Sequence, residues 1–126
     1  MIAVLDASAL LAFLHDEPGA ARVREALEGA MVSAVNWAEV VQKASRHGVD
    51  VTGMREEFED IGVAFEPFSP EQAEVAARLW HRTRPGGLSL ADRACLALGM
   101  ESRAAVLTAD RDWARFELGI RIVLVR

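Results

Sequence analysis

Four acidic residues in this chain stand where an α/β protein keeps its reactive groups. Asp6 directly follows the apolar run of residues 2–5, and Asp110 closes Thr108-Ala109-Asp110 after the apolar run of residues 104–107. Both lie at the carboxyl ends of expected parallel strands, where open α/β sheets place their ligand crevices. Glu39 sits in Asn36-Trp37-Ala38-Glu39 between Val35 and Val40-Val41, and an acid in such apolar surroundings requires a partner. Asp92 opens a helix whose next turn carries Cys95 and Leu96. Carboxylates gathered at one edge repel one another and take up protons or a cation. An oxygen-only donor set without convergent His or Cys selects Mg²⁺ or Mn²⁺ over zinc. Such an ion binds a scissile phosphate and activates water, so the chemistry indicated is phosphodiester cleavage.

Each acid also has a plainer reading. Asp92 alone is a helix-terminal acid favoured by the macrodipole, while Asp6 and Asp110 alone are helix caps. Glu39 alone is a surface glutamate. The joint reading rests on all four sharing one sheet edge, whereas Glu56, Glu57, Glu59 and Asp60 crowd a helix face. A haloacid-dehalogenase-like phosphatase also uses acids at a strand end, but needs a second Asp two residues after the first, where this chain has Ser8. A receiver domain lacks its paired acids and Lys here. A Ser-His-Asp hydrolase lacks the nucleophile elbow.

The elements that must position these acids alternate in type. Strands are expected at residues 2–5, 31–35, 63–68, 104–107 and 120–125. Between them, Ser8 caps a helix through Leu10, Leu11 and Leu14, and residues 20–28 form a helix ended by Gly29. Asn36 starts a helix reaching Gly48, and residues 51–60 form one closed by Gly62. Ser69-Pro70-Glu71-Gln72 opens a long helix that Pro85-Gly86-Gly87 breaks, and Ser89-Leu90-Ala91-Asp92 is a second capping signature. A short helix is expected around Trp113 and Phe116. This alternation predicts one domain, residues 1–126, built as a three-layer α/β/α sandwich around a mostly parallel sheet.

Composition narrows the function. The chain of 126 residues is 52% hydrophobic, enough to bury a core. Its formal net charge of −5 disfavours a protein that grips nucleic acid through its overall field, so any polyanion must be met locally. The single cysteine, Cys95, excludes an internal disulfide and thiolate zinc clusters. No apolar stretch approaches a membrane span and the early Asp6 interrupts any signal-peptide core, so a cytoplasmic location without membrane contact is expected.

Val4-Leu5-Asp6-Ala7-Ser8, Asn36-Trp37-Ala38-Glu39-Val40, Leu88-Ser89-Leu90-Ala91-Asp92 and Leu107-Thr108-Ala109-Asp110-Arg111-Asp112-Trp113 resemble, in order, the four motifs of PIN-domain nucleases. The likeness is greatest to VapC-type ribonuclease toxins of toxin–antitoxin pairs. It implies a PIN-like fold and a metal-dependent endoribonuclease in which Asp6, Glu39, Asp92 and Asp110 bind Mg²⁺ or Mn²⁺ and act in catalysis. It further implies Ser8 and Thr108 as polar supports, Asp112 as an outer acid, a cognate antitoxin protein and a homodimer. The alternative of a non-catalytic PIN-like RNA- or protein-binding domain remains open.

Arg82 and Arg84 end the long helix, and Arg93 and Arg111 adjoin candidate acids, which makes these four the expected phosphate contacts. His15, His47 and His81 are read as scattered surface residues. Core or interface packing is the default for Trp37, Trp80 and Trp113. The two N-terminal helices carry more Leu, Ala and Val than a small domain covers, suggesting the antitoxin groove.

Overall fold

The computed structural model describes residues 2–126. Five strands, β1 (Ala3–Leu5), β2 (Met31–Ser33), β3 (Ala64–Glu66), β4 (Ala105–Thr108) and β5 (Ile122–Leu124), form one sheet in the order β3-β2-β1-β4-β5. Every pairing is parallel. The helices are α1 (Ala7–Leu14), α2 (Ala20–Ala26), α3 (Ala34–Arg46), α4 (Met54–Ile61), α5 (Pro70–Thr83) and α6 (Leu90–Ser102). Short 3₁₀ turns follow at Arg84–Gly86 and Arg111–Arg115. The expected α/β/α sandwich is therefore the fold.

Side chains alternate across the strands and divide the core in two. Ala3, Leu5, Val32 and Leu107 face Leu10, Val23, Val40 and Phe58 of α1 to α4. Val4 and Val106 face Leu79, Cys95, Leu96 and Leu98 of α5 and α6. Burial on both faces explains why the strands read as continuous apolar runs.

The chain moves outward from β1 to β3, then returns through α5 and α6 to pair β4 with the other side of β1. That reversal makes a switch point between β1 and β4, the crevice position of open α/β sheets. Because Leu5 pairs with Leu107, the next residues, Asp6 and Thr108, leave the sheet side by side.

Several boundaries differ from the sequence expectation. Ile2 is largely exposed and outside β1. The third and fifth strands shrink to three residues each. The third helix starts at Ala34, capped by Ser33 through the Val35 N–H at 3.3 Å, so Asn36 lies inside it. The first helix is capped by Asp6 and not Ser8. At the two helix starts, the hydrogen bond of the capping side chain sets the boundary. The two later capping signatures stand as expected, with Ser69 accepting from the Gln72 N–H and Ser89 from the Asp92 N–H.

No helix is long and apolar enough to cross a membrane. The apolar residues of α1 and α2 belong to the core or pack against it, and neither helix shows a large exposed hydrophobic side chain. Leu11, Phe13, Leu14 and Ala26 of these helices are partly buried against that core.

Gly99 lets α6 lie directly on β4. A Cβ there would stand 2.6 Å from Val106 Cγ2. Overpacking of this kind costs about 1–3 kcal/mol and outweighs the roughly 1 kcal/mol that Ala gains over Gly in a helix. Gly99→Ala should therefore lower the urea midpoint. An unchanged or raised midpoint would show that α6 lifts from the sheet at no cost.

Candidate active site

Asp6 is the first residue past the central strand and only 3% exposed. As the N-cap of α1 it accepts the Ala9 N–H on Oδ1 at 2.8 Å. Ser8 Oγ, in the same first turn, lies 2.8 and 2.9 Å from the two carboxylate oxygens, and Thr108 Oγ1 donates to Oδ2 at 2.5 Å. Ser8 Oγ also accepts the Ala109 N–H at 2.9 Å, while Thr108 Oγ1 accepts the Asp110 N–H at 3.0 Å. The ends of β1 and β4 are thus tied by one continuous network. Burial pushes the Asp6 carboxyl up to about 6, against the lowering effect of its bonds to Thr108, Ala9 and Ser8, and the Asp92 charge adds to the rise.

Asp92 is brought to this edge by the start of α6. Its Oδ2 accepts the Ser89 N–H at 3.0 Å, completing a capping box, so the helix-terminal reading holds together with the electrostatic contact to Asp6. Glu39 projects from α3, loosely paired with Lys43 at 3.8 Å. Cys95 lies buried one helical turn beyond Asp92. Its thiol is pushed well up, first by burial and then by the charges of Asp6, Asp92 and Glu39. Three carboxylates from three separate elements therefore act on one buried sulfur.

Asn36 is a site residue that the sequence reading treated only as a helix start. It is buried, its Nδ2 donates to the Ala91 carbonyl at 3.0 Å, and its Oδ1 has no partner. It joins α3 to the beginning of α6. The available signal was an amide among apolar residues, three before Glu39.

The remaining candidates are dispersed. Asp110 is exposed, and its carboxylate caps the 3₁₀ turn by accepting the Asp112 N–H at 3.0 Å. Asp112 is exposed, its backbone bonded to that carboxylate. Arg93 does not present itself to a phosphate: Nη1 donates to the Ala76 carbonyl at 2.9 Å and Nε is buried, bracing α5 against α6. Arg82 donates to the Glu117 carbonyl at 2.6 Å, and the Arg84 guanidinium lies 5.1 Å from the centre of the Trp80 ring. Arg111 is exposed. Two histidines expected to be scattered come together, with the His15 and His47 rings 5.3 Å apart. Trp37 packs on Phe58 and Phe65, Trp113 is fully buried, and Trp80 is 43% exposed.

Among the described residues, no three Asp, Glu, His or Cys side chains close into a ligand cluster. The donor set still fits a hard divalent cation. It is all oxygen, Asp6 is raised partly by Asp92, and the unpartnered Asn36 Oδ1 is an orphaned acceptor beside the start of α6. A groove of 620 Å³ lies elsewhere, between α5 and α6, where Val75, Leu79 and Met100 are bordered by Glu71, Arg78 and Glu101.

The Asp6 shift fixes the sign of a pH effect. Since its carboxyl rises from 3.8 to about 6 on folding, the native state holds the proton more tightly than the unfolded chain. Stability from this group is full below pH 3.8 and is lost as pH rises to about 6. The loss is on the order of 3 kcal/mol. In EDTA-treated protein, urea unfolding across this range should show the decline in wild type relative to Asp6→Asn. Parallel curves for the two proteins would assign the titration to another group.

The model of the PIN domain matches residues 3–118. No curated protein matches the chain in sequence. Among solved structures, a toxin–antitoxin complex from Klebsiella pneumoniae contains a chain that superposes with a TM-score of 0.78 at 21% identity, covering 98% of both chains. DNA-bound VapBC from Salmonella typhimurium gives 0.72 at 14% identity over 100% of this chain and 99% of that one. VapC20 of Mycobacterium tuberculosis, a toxin that cleaves the sarcin-ricin loop, gives 0.71 at 14% identity over 94% of this chain and 98% of that one. At these identities the superpositions establish a common fold, and with the domain match spanning nearly all of its length, this chain belongs to the PIN domain family.

Proposed function

We propose that this chain is a divalent-metal-dependent endoribonuclease of the VapC type, the toxin of a toxin–antitoxin pair. The observation that carries the reading is the buried Asp6 carboxylate at the β1–β4 switch point, oriented by Ser8 and Thr108 and within the field of Asp92. Family membership and the nature of the structural relatives support it.

In this reading Asp6, Asp92 and Glu39 hold Mg²⁺ or Mn²⁺, with Asp110 at the rim. The ion supplies positive charge against the scissile phosphate and lowers the pKa of attacking water. Thr108 and Ser8 keep the Asp6 oxygens at a fixed angle, as outer partners of ligating carboxylates do. Asn36 holds α6 against α3, so Asp92 and Glu39 keep a constant separation.

An antitoxin partner follows from the complexes formed by the structural relatives. An Arg from such a partner, paired with the carboxylates, would replace the cation and silence the site. Co-expression with the adjacent small gene product should yield a stable complex. A toxin that purifies alone from that co-expression would remove the pairing.

The cleavage chemistry is tested by end-group analysis. Single-stranded or loop RNA should be cut to 5′-phosphate and 3′-hydroxyl ends, with no activity in excess EDTA. Fragments ending in 2′,3′-cyclic phosphate would instead assign the reaction to attack by the ribose 2′-hydroxyl, with the His15–His47 pair as acid and base. Asp6→Asn and Asp92→Asn should abolish turnover and leave RNA affinity nearly unchanged. Thr108→Val should reduce activity about 10–100-fold. Independently of activity, Mn²⁺ should raise the melting temperature of wild type and not that of Asp6→Asn. Equal Mn²⁺ responses would move the ion away from Asp6, and metal binding without RNA cleavage would leave a binding domain.

A further inference from the structure

The chain carries 19 acidic and 14 Lys or Arg side chains, yet a cavity that Ser8 borders has the opposite balance. Between α1 and α3 lies a hollow of 240 Å³ bordered by Ser8, His15, Lys43, His47 and Arg126, with Glu17 as its one acid. These residues come from three distant parts of the sequence, so their meeting is a product of the fold.

Lys43 and Arg126 bring positive charge to this cavity, and the two imidazoles meet between them. His47 must donate through Nδ1 to the Lys43 carbonyl, 2.9 Å away, because a carbonyl only accepts. That bond holds its ring beside His15, whose Nε2 is buried without a partner. Lys43 is loosely engaged, at 3.8 Å from Glu39, while Arg126 lies 3.4 Å from Glu17 and donates to the Pro18 carbonyl at 3.2 Å. Such exposed pairs contribute little, and both cations can turn to a stronger acceptor. Ser8 links the cavity to the acids, since the hydroxyl that borders it is also bonded to Asp6.

The geometry points to this cavity as a phosphate subsite: a backbone phosphate of single-stranded RNA, flanking the bond to be cut, sits among His15, Lys43, His47 and Arg126. The inference rests on the nuclease reading and adds where the strand lies. Local cations then hold the polyanion that the net charge of −5 repels, and the phosphate contacts fix register while the acids act one step along.

The three histidines provide the test, because His81 lies on α5 beside Trp80 and not in this cavity. In EDTA, an RNA oligonucleotide is titrated into wild-type protein while imidazole resonances are followed by NMR and binding by fluorescence anisotropy. The His15 and His47 resonances should shift in step with binding. His15→Gln, His47→Gln and Arg126→Gln should each weaken binding several-fold, and Arg126→Gln should lower the slope of log affinity against log salt by about 1. RNA that binds while His15 and His47 stay silent, with variants binding as wild type does, overturns the subsite and leaves the nuclease reading standing. Absence of both RNA binding and Mn²⁺-supported cleavage overturns both. The melting temperature of each variant confirms that loss of binding is not loss of fold.

Discussion

A carboxylate with almost no solvent exposure, set at the end of the central strand, is the constraint around which this structure is organised. Placing an acid there is unfavourable unless hydrogen bonds replace the water it gives up. Asp6 gains its donors from two directions, Ser8 and Ala9 in the first turn of α1 and Thr108 at the end of β4. The cap of one helix, the register of two strands and the crevice between them therefore depend on the same four atoms. A slip of β4 by one residue would move Thr108 away and turn its neighbours to the opposite face. The network is incomplete as compensation, because burial still outweighs the bonds and the carboxyl retains its proton more readily than a free one.

The other acids reach the same place through packing of helices. α6 is held close to β4 by Gly99 and close to α3 by the bond from Asn36 to Ala91, and these two contacts set where Asp92 lies. Asp92 serves its helix and the site at once, with one oxygen in the capping box and its charge acting on Asp6. Cys95 senses three of the carboxylates from beneath, a measure of how closely their fields overlap. Asp110 differs, since its carboxylate is directed to the turn that follows it.

Charge is unevenly distributed over this acidic chain. Asp92 acts on Asp6 at the crevice, while basic side chains gather in two other groups. One group borders the cavity between α1 and α3. Another surrounds Trp80, with Arg84 over its ring and His81 against its edge. An exposed aromatic flanked in this way has the form of a base-stacking surface.

Local chemistry decided much of what the sequence determined by itself. Apolar runs ending in Asp6 and in Thr108-Ala109-Asp110, capping signatures at Ser69 and Ser89, and breakers at Gly62 and Pro85 are short-range features. Each acts through atoms within a few residues of one another, so the alternation of strands and helices, the parallel sheet and the order of the four motifs were all legible. Partners distant in the chain were not. Only the tertiary structure decided that Asp6 and not Ser8 caps α1, because Thr108, 102 residues away, completes the network that draws Ser8 to the carboxylate. It also decided that Arg93 braces α5, that the apolar residues of α1 and α2 pack on the core, and that His15 meets His47 beside Arg126. Those outcomes depend on which surfaces come together when layers pack, and the free energy of a contact between two side chains is set by their surroundings, which no single stretch of sequence contains.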